Sequence, residues 1–150
     1  MARVALLDVN VLVALFFPDH VHHDLAHDWF ASEAAGGWAT CPMTENGFVR
    51  VASRLPSESG PWRPSEVASR LQRLCAADAH RFWPDQISLL DDSLFNRDLV
   101  RGAAQVTDVY LLGLAKKMGG CLATFDRTIP LGAVVGATRA HLAVIRPSDD

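Results

Sequence analysis

Cysteine is scarce in this chain. Cys41, Cys75 and Cys121 are the only three, lie far apart and never form a Cys-x-x-Cys pair. An odd, scattered set excludes a disulfide framework and a zinc knuckle, and fits buried thiols in a reducing compartment. Long hydrophobic runs are missing as well. Val11–Phe17 is much too short to cross a bilayer, and Asp8 interrupts the N-terminus before a signal-peptide core could form. A membrane anchor and secretion are therefore not expected, and a cytoplasmic location is. Lysine is almost absent, since only Lys116 and Lys117 among the 14 basic residues are not arginine. Positive charge is nearly missing from the first 49 residues, where Arg3 alone faces Asp8, Asp19, Asp24, Asp28, Glu33 and Glu45. Between positions 50 and 81 the balance reverses, with Arg50, Arg54, Arg63, Arg70, Arg73 and Arg81 against Glu58, Glu66 and Asp78. The net charge of −3 does not mark a nucleic-acid binder. The arginine-rich middle suits phosphate contacts, a subunit interface or a solvated helix face equally.

What is present is a chain of 150 residues, 49 % hydrophobic, enough for one substantial core and too short for two ordinary domains. One domain spanning 1–150 is expected. Val4–Leu7 reads as a strand and Val11–Phe17 as a helix closed by Pro18-Asp19. A second helix is expected from about His23 to Ala35, stopped by Gly36-Gly37, then a strand at Trp38–Cys41 and a helix after Pro42. Beyond a Ser/Gly/Pro-rich loop at 56–64, Ser65 is a fitting cap for a helix to about Asp78. Arg81–Trp83 reads as a third strand, while 86–100 fits strand or helix equally. Thr107 would cap a helix through Met118, Gly119-Gly120 would end it, and strands follow at Cys121–Phe125 and His141–Ile145. Alternating strands and helices imply an α/β sandwich around a mostly parallel sheet, whose functional crevice lies beyond the carboxyl ends of the strands.

Asp8 is conspicuous in that framework. From Val4 to Phe17 only Asp8 and Asn10 are polar. An ionised carboxylate leaving water normally pairs, shifts its pKa or binds a metal. Asp126 likewise follows a strand. Glu45 precedes Phe48, Val49 and Ala52 by three, four and seven residues, and Asp108 stands in the same relation to Leu111, Leu112 and Ala115. Both acids therefore head buried helical stripes. Favourable interaction with the helix dipole, about 0.3–1 kcal/mol, accounts for either acid alone but not for both pointing inward. Four such carboxylates suit Mg²⁺ or Mn²⁺ rather than zinc. Without metal they repel, and at least one pKa should rise. Divalent ions at such a site favour hydrolysis of a phosphate ester.

Leu7-Asp8-Val9-Asn10, Thr44-Glu45, Val106-Thr107-Asp108-Val109-Tyr110-Leu111 and Thr124-Phe125-Asp126-Arg127, in that order along nearly the whole chain, resemble the PIN domain. Within that family they resemble the VapC-type ribonuclease toxins of toxin–antitoxin pairs. The resemblance implies a three-layer α/β/α sandwich with about five central strands, and Asp8, Glu45, Asp108 and Asp126 as catalytic, metal-binding acids. It further implies Mg²⁺, with Mn²⁺ as a substitute, cleavage of RNA to 5′-phosphate and 3′-hydroxyl ends, a VapB-type antitoxin and a homodimer. Asn10 matches a polar position that orients a ligand or caps the helix. Thr124 could contact a phosphate, a ligand or simply a turn, and Arg127 could meet RNA phosphate or solvent.

Other readings are weaker. His20, His22, His23, Asp24, His27 and Asp28 lack a recognisable third ligand for zinc and read as a polar helix face opposite Leu25 and Trp29. Asp91-Asp92 reads as an exposed turn, and Trp62 as packing its loop or stacking on a base. A haloacid-dehalogenase-like phosphatase would need a second aspartate where Asn10 stands. A catalytically inactive PIN-fold binding module is the non-enzymatic rival.

Overall fold

A computed structural model describes residues 3–147. Its centre is β1 (Ala5–Leu7), flanked by β2 (Trp38–Thr40) on one side and β6 (Cys121–Thr124) on the other. The outer strands are β5 (His80–Phe82) and β7 (Leu142–Val144), giving the order β5-β2-β1-β6-β7. Every pairing in this sheet is parallel. β1, β2 and β6 are buried along their whole length, as strands covered on both faces must be, while β5 and β7 are more exposed at the edges. A short antiparallel pair, β3 (Pro56–Ser57) and β4 (Gly60–Pro61), decorates the loop before the fourth helix.

Alternation along the strands builds two cores. Ala5, Leu7, Trp38, Cys121 and Ala123 face a cluster containing Val11, Leu12, Leu15, Phe48 and Leu71. Leu6, Ala39 and Leu122 face the opposite way, against Val109, Leu111, Leu112, Leu114 and Phe95. The first layer is formed by α1 (Val9–Phe16), α2 (His23–Glu33), α3 (Pro42–Ala52) and α4 (Pro64–Leu74), the other by α5 (Val106–Lys117) with irregular chain around it. The result is the expected three-layer α/β/α sandwich with five parallel strands.

Several local expectations are corrected. Arg63, not Ser65, is the N-cap of α4, because Pro64 occupies the first turn, where its missing N–H costs nothing. Helix α5 begins at Val106 after a 3-10 turn at Ala103–Gln105, so Thr107 lies inside its first turn, exposed, and Gln105 takes the cap position. The stretch 86–100 holds no sheet strand and no α-helix, only a single 3-10 turn at Arg97–Leu99. Asp91 Oδ1 accepts from the Ser93 N–H at 2.9 Å and the Ser93 hydroxyl at 2.6 Å, a turn that breaks any regular run. Phe95 anchors this stretch, buried and stacked on Tyr110, and Gly113 on α5 leaves the space its ring fills. Nor is the histidine cluster merely a wet face. His23 Nδ1 and His27 Nε2 lie 2.7 and 2.9 Å from the carbonyls of Ala14 and Leu15, which have no partner within the last turn of α1.

The chain leaves β1 toward β2 and β5, then returns past β1 to β6 and β7. The order therefore reverses between β1 and β6, and the carboxyl ends of these two strands are where open parallel sheets place their functional sites.

Candidate metal centre

Asp8 directly follows β1 and caps α1. Its Oδ1 accepts from the Val9 N–H at 2.8 Å and its Oδ2 from the Thr124 hydroxyl at 2.8 Å. The Asp8 N–H itself donates to the Ala123 carbonyl at 3.0 Å, so the β1–β6 ladder sets Asp8 beside Thr124. Thr124 is buried, and its hydroxyl oxygen also accepts from the Asp126 N–H at 3.1 Å. One hydroxyl thus aligns two acids. Asp126 is fixed from the other side by Thr128, whose N–H and hydroxyl both donate to Oδ1 at 2.7 Å. Asp108, in the first turn of α5, is half-buried and hydrogen-bonds to the Asp126 carboxylate.

The electrostatics follow from this packing. Burial raises the Asp8 pKa, opposed by its bonds from Thr124 and Val9 and reinforced by repulsion from Asp126. Asp108 is pushed up to about 7, first by burial and then by the charges of Asp8 and Asp126. Asp126 falls below the usual carboxylate range because two donors from Thr128 hold its charge. Below neutrality, then, Asp108 keeps its proton and hydrogen-bonds through it to the ionised Asp126 carboxylate. The expected rise of at least one acid is present at both Asp8 and Asp108, with burial its first cause and repulsion among the carboxylates adding to it. Among the described residues no lysine, arginine or histidine forms an ion pair with these aspartates, the recorded pair being Arg97–Asp92 at 3.0 Å on the surface. A concentration of hard oxygen donors lacking a counter-cation fits a divalent ion of the Mg²⁺ or Mn²⁺ class.

The PIN-domain sequence profile matches residues 5–132, most of the chain. The chain belongs to the PIN-domain family. As a PIN domain it is 44 % identical over 141 residues to Ribonuclease VapC44 of Mycobacterium tuberculosis, covering 94 % of this chain and 99 % of that protein. Ribonuclease VapC39 of the same organism is 42 % identical over 132 residues, covering 88 % and 95 %. Ribonuclease VapC38 is 47 % identical over 126 residues, covering 82 % and 85 %. Among solved structures, the M. tuberculosis toxin VapC20, described as cleaving the sarcin-ricin loop, superposes with a TM-score of 0.58 over 81 % of this chain and 87 % of its own. At 14 % identity that match speaks for the PIN fold alone.

The remaining residues singled out in the PIN motifs are placed differently. Glu45, half-buried on α3, accepts from the Thr40 hydroxyl at 2.7 Å, and lies with Cys75 and His80 in a cluster of its own. Asp8, Asp108 and Asp126 thus lie close enough for their charges to interact, whereas the Glu45 carboxylate is engaged elsewhere. Asn10 is exposed on α1, and Arg127 is exposed in the loop after β6. Thr124 spends its hydroxyl on Asp8 and Asp126, leaving it unavailable to a phosphate. Thr128 and Thr40 escaped the sequence reading. The Asp126-x-Thr128 spacing of a side-chain turn was a usable signal for the first, and nothing local marked the second.

Proposed function

We infer that this PIN domain is a metal-dependent endoribonuclease toxin of the VapC type. The observation that carries this reading is the convergence of Asp8, Asp108 and Asp126, without a counter-cation, at the reversal point of the sheet. Those three residues would hold Mg²⁺, with Mn²⁺ as a substitute, and Glu45 would join them by turning from Thr40. A bound divalent ion supplies charge stabilisation to a phosphodiester and makes water more acidic. Thr124 and Thr128 keep Asp8 and Asp126 in fixed orientations, so the acids need little rearrangement on binding. Asp108, which keeps a proton while the site is free of cation, releases it when positive charge arrives.

The substrate in this reading is RNA, cut to leave 5′-phosphate ends. The partners are a second copy of the chain and a VapB-type antitoxin, and the compartment is the cytoplasm, in keeping with three free cysteines. No helix among the described residues is long and apolar enough to cross a membrane. The phosphatase alternative is disfavoured by Asn10, an exposed amide unable to serve as a second acid. RNA incubated with the protein in Mg²⁺, in Mn²⁺ and with chelator tests the reading. Cleavage in either metal, silenced by chelator, is expected. Hydrolysis of a small phosphomonoester with RNA intact would favour the phosphatase, and RNA binding without cleavage the inactive module.

A further inference from the structure

On the far side of β2 from β1, three ligand-bearing side chains meet outside the aspartate cluster. Glu45 on α3, Cys75 at the end of α4 and His80 on β5 each offer one ligand atom, all within 4.8 Å of one another. The buried Thr40 hydroxyl lies among them, 2.7 Å from Glu45 Oε2 and 2.8 Å from His80 Nε2. A hydroxyl carries one proton, and the carboxylate, which can only accept, takes it. With that proton committed, the His80 Nε2–H donates to the Thr40 oxygen at 2.8 Å, so His80, Thr40 and Glu45 form a relay of two hydrogen bonds. The relay fixes the orientation of the imidazole and the carboxylate, and a cation bound at Nε2 takes the lone pair freed when the ring N–H moves to Nδ1.

The donor set also has an entrance. Glu45 and Cys75 both line a cleft of about 400 Å³ between α3 and α4, bordered by Asn46, Val49, Leu71 and Gln72. Nitrogen, sulfur and oxygen together suit a borderline ion such as Zn²⁺, which takes three protein ligands and leaves a fourth position to water. At metal–ligand distances of about 2.0–2.3 Å, tetrahedral ligands stand roughly 3.3–3.8 Å apart. The cluster therefore closes on an ion through side-chain adjustments of about 1 Å. Arriving metal displaces the thiol proton to solvent.

We propose that Glu45, Cys75 and His80 form a second divalent-metal site, of the zinc class, separate from Asp8, Asp108 and Asp126. An ion there holds Glu45 away from the aspartates and so restrains cleavage. That consequence rests on the nuclease reading, whereas the binding itself does not.

Titration of the reduced full chain with Co²⁺ as a spectroscopic probe tests the site. The expected result is one equivalent giving a thiolate-to-cobalt charge-transfer band with tetrahedral ligand-field bands, displaced by Zn²⁺. Cys75→Ala should abolish the charge-transfer band, His80→Gln should weaken binding at least about 100-fold, and Asp126→Asn should leave both unchanged. Two variants at different elements, each checked by its thermal melt, separate loss of a ligand from loss of fold. A wild-type spectrum without charge transfer, or one that survives Cys75→Ala, would overturn the site. The latter would assign the metal to Cys41 or Cys121. Adding one equivalent of Zn²⁺ to an RNA-cleavage assay in excess Mg²⁺ tests the coupling. Inhibition of wild type but not of Cys75→Ala supports it, and Zn²⁺ bound with cleavage undiminished refutes it. Absence of cleavage under every condition refutes the nuclease reading and leaves the Co²⁺ result standing.

Discussion

Replacing Asp108 with asparagine should stabilise the metal-free protein, and do so more at high pH than at low. The folded chain holds the Asp108 proton until about pH 7, whereas the unfolded chain releases it near 3.8. A raised carboxyl pKa favours folding below the unfolded value, and that stability is lost progressively as the pH climbs to 7. At 1.36 kcal/mol per pH unit the gap sets a ceiling of about 4 kcal/mol. Asp108 is only half-buried, so solvent screening reduces the figure to roughly 1–2 kcal/mol. At pH 8 wild type bears this penalty in full, and Asp108→Asn, whose amide still donates to Asp126, removes it. At pH 5 the native carboxyl is already protonated, and the benefit should be under half as large. Thermal melting in chelator should show a Tm increase of about 2–8 °C at pH 8. A Tm that falls at pH 8, or rises equally at both pH values, would refute the electrostatic account. Saturating Mg²⁺ should reverse the order, because a ligand at about 100 times its Kd stabilises its binding form by about 2.7 kcal/mol.

Other perturbations test the scaffold. Thr124→Val strips a donor from buried Asp8 and an acceptor from the Asp126 N–H, so urea unfolding should show a loss of about 1–3 kcal/mol, while Thr124→Ser retains most stability. Equal losses in the two variants would count against the hydroxyl. Leu12→Ala, at a fully buried position, should cost about 2–5 kcal/mol with an unchanged denaturant slope. Gly113→Ala sets a methyl against the Phe95 ring, and should cost about 1–3 kcal/mol, partly recovered by adding Phe95→Leu. Stabilisation by about 1 kcal/mol, as helix propensity alone would give, would show that the ring yields freely.

Much of the fold was legible because burial and periodicity are local signals. The all-buried Ala5-Leu6-Leu7 and Cys121–Thr124 runs, the Pro42 start of α3 and the Gly119 stop of α5 could be read directly, and Gly119 adopts the φ of +75° that suits glycine. Cap identities failed where a neighbour intervened. Pro64 advanced one helix start, and a preceding 3-10 turn advanced the other. The stretch 86–100 resisted because its order comes from a tertiary anchor, Phe95 on Tyr110, which leaves no repeat in the sequence. Asp8, Asp108 and Asp126 were legible as a group because strand ends and helix starts share one edge of a parallel sheet. The direction taken by Glu45 was not, since Thr40, Cys75 and His80 are drawn from three different elements.

RNA cleavage by Asp126→Asn, compared with wild type in saturating Mn²⁺, tests the central claim most directly. Asp126 is partly exposed, so the variant can be required to show a cooperative thermal melt before it is assayed. The aspartate centre predicts a fall in rate of at least about 100-fold, equivalent to roughly 2.7 kcal/mol of lost transition-state stabilisation. A folded Asp126→Asn protein that cuts RNA within about threefold of the wild-type rate would contradict it.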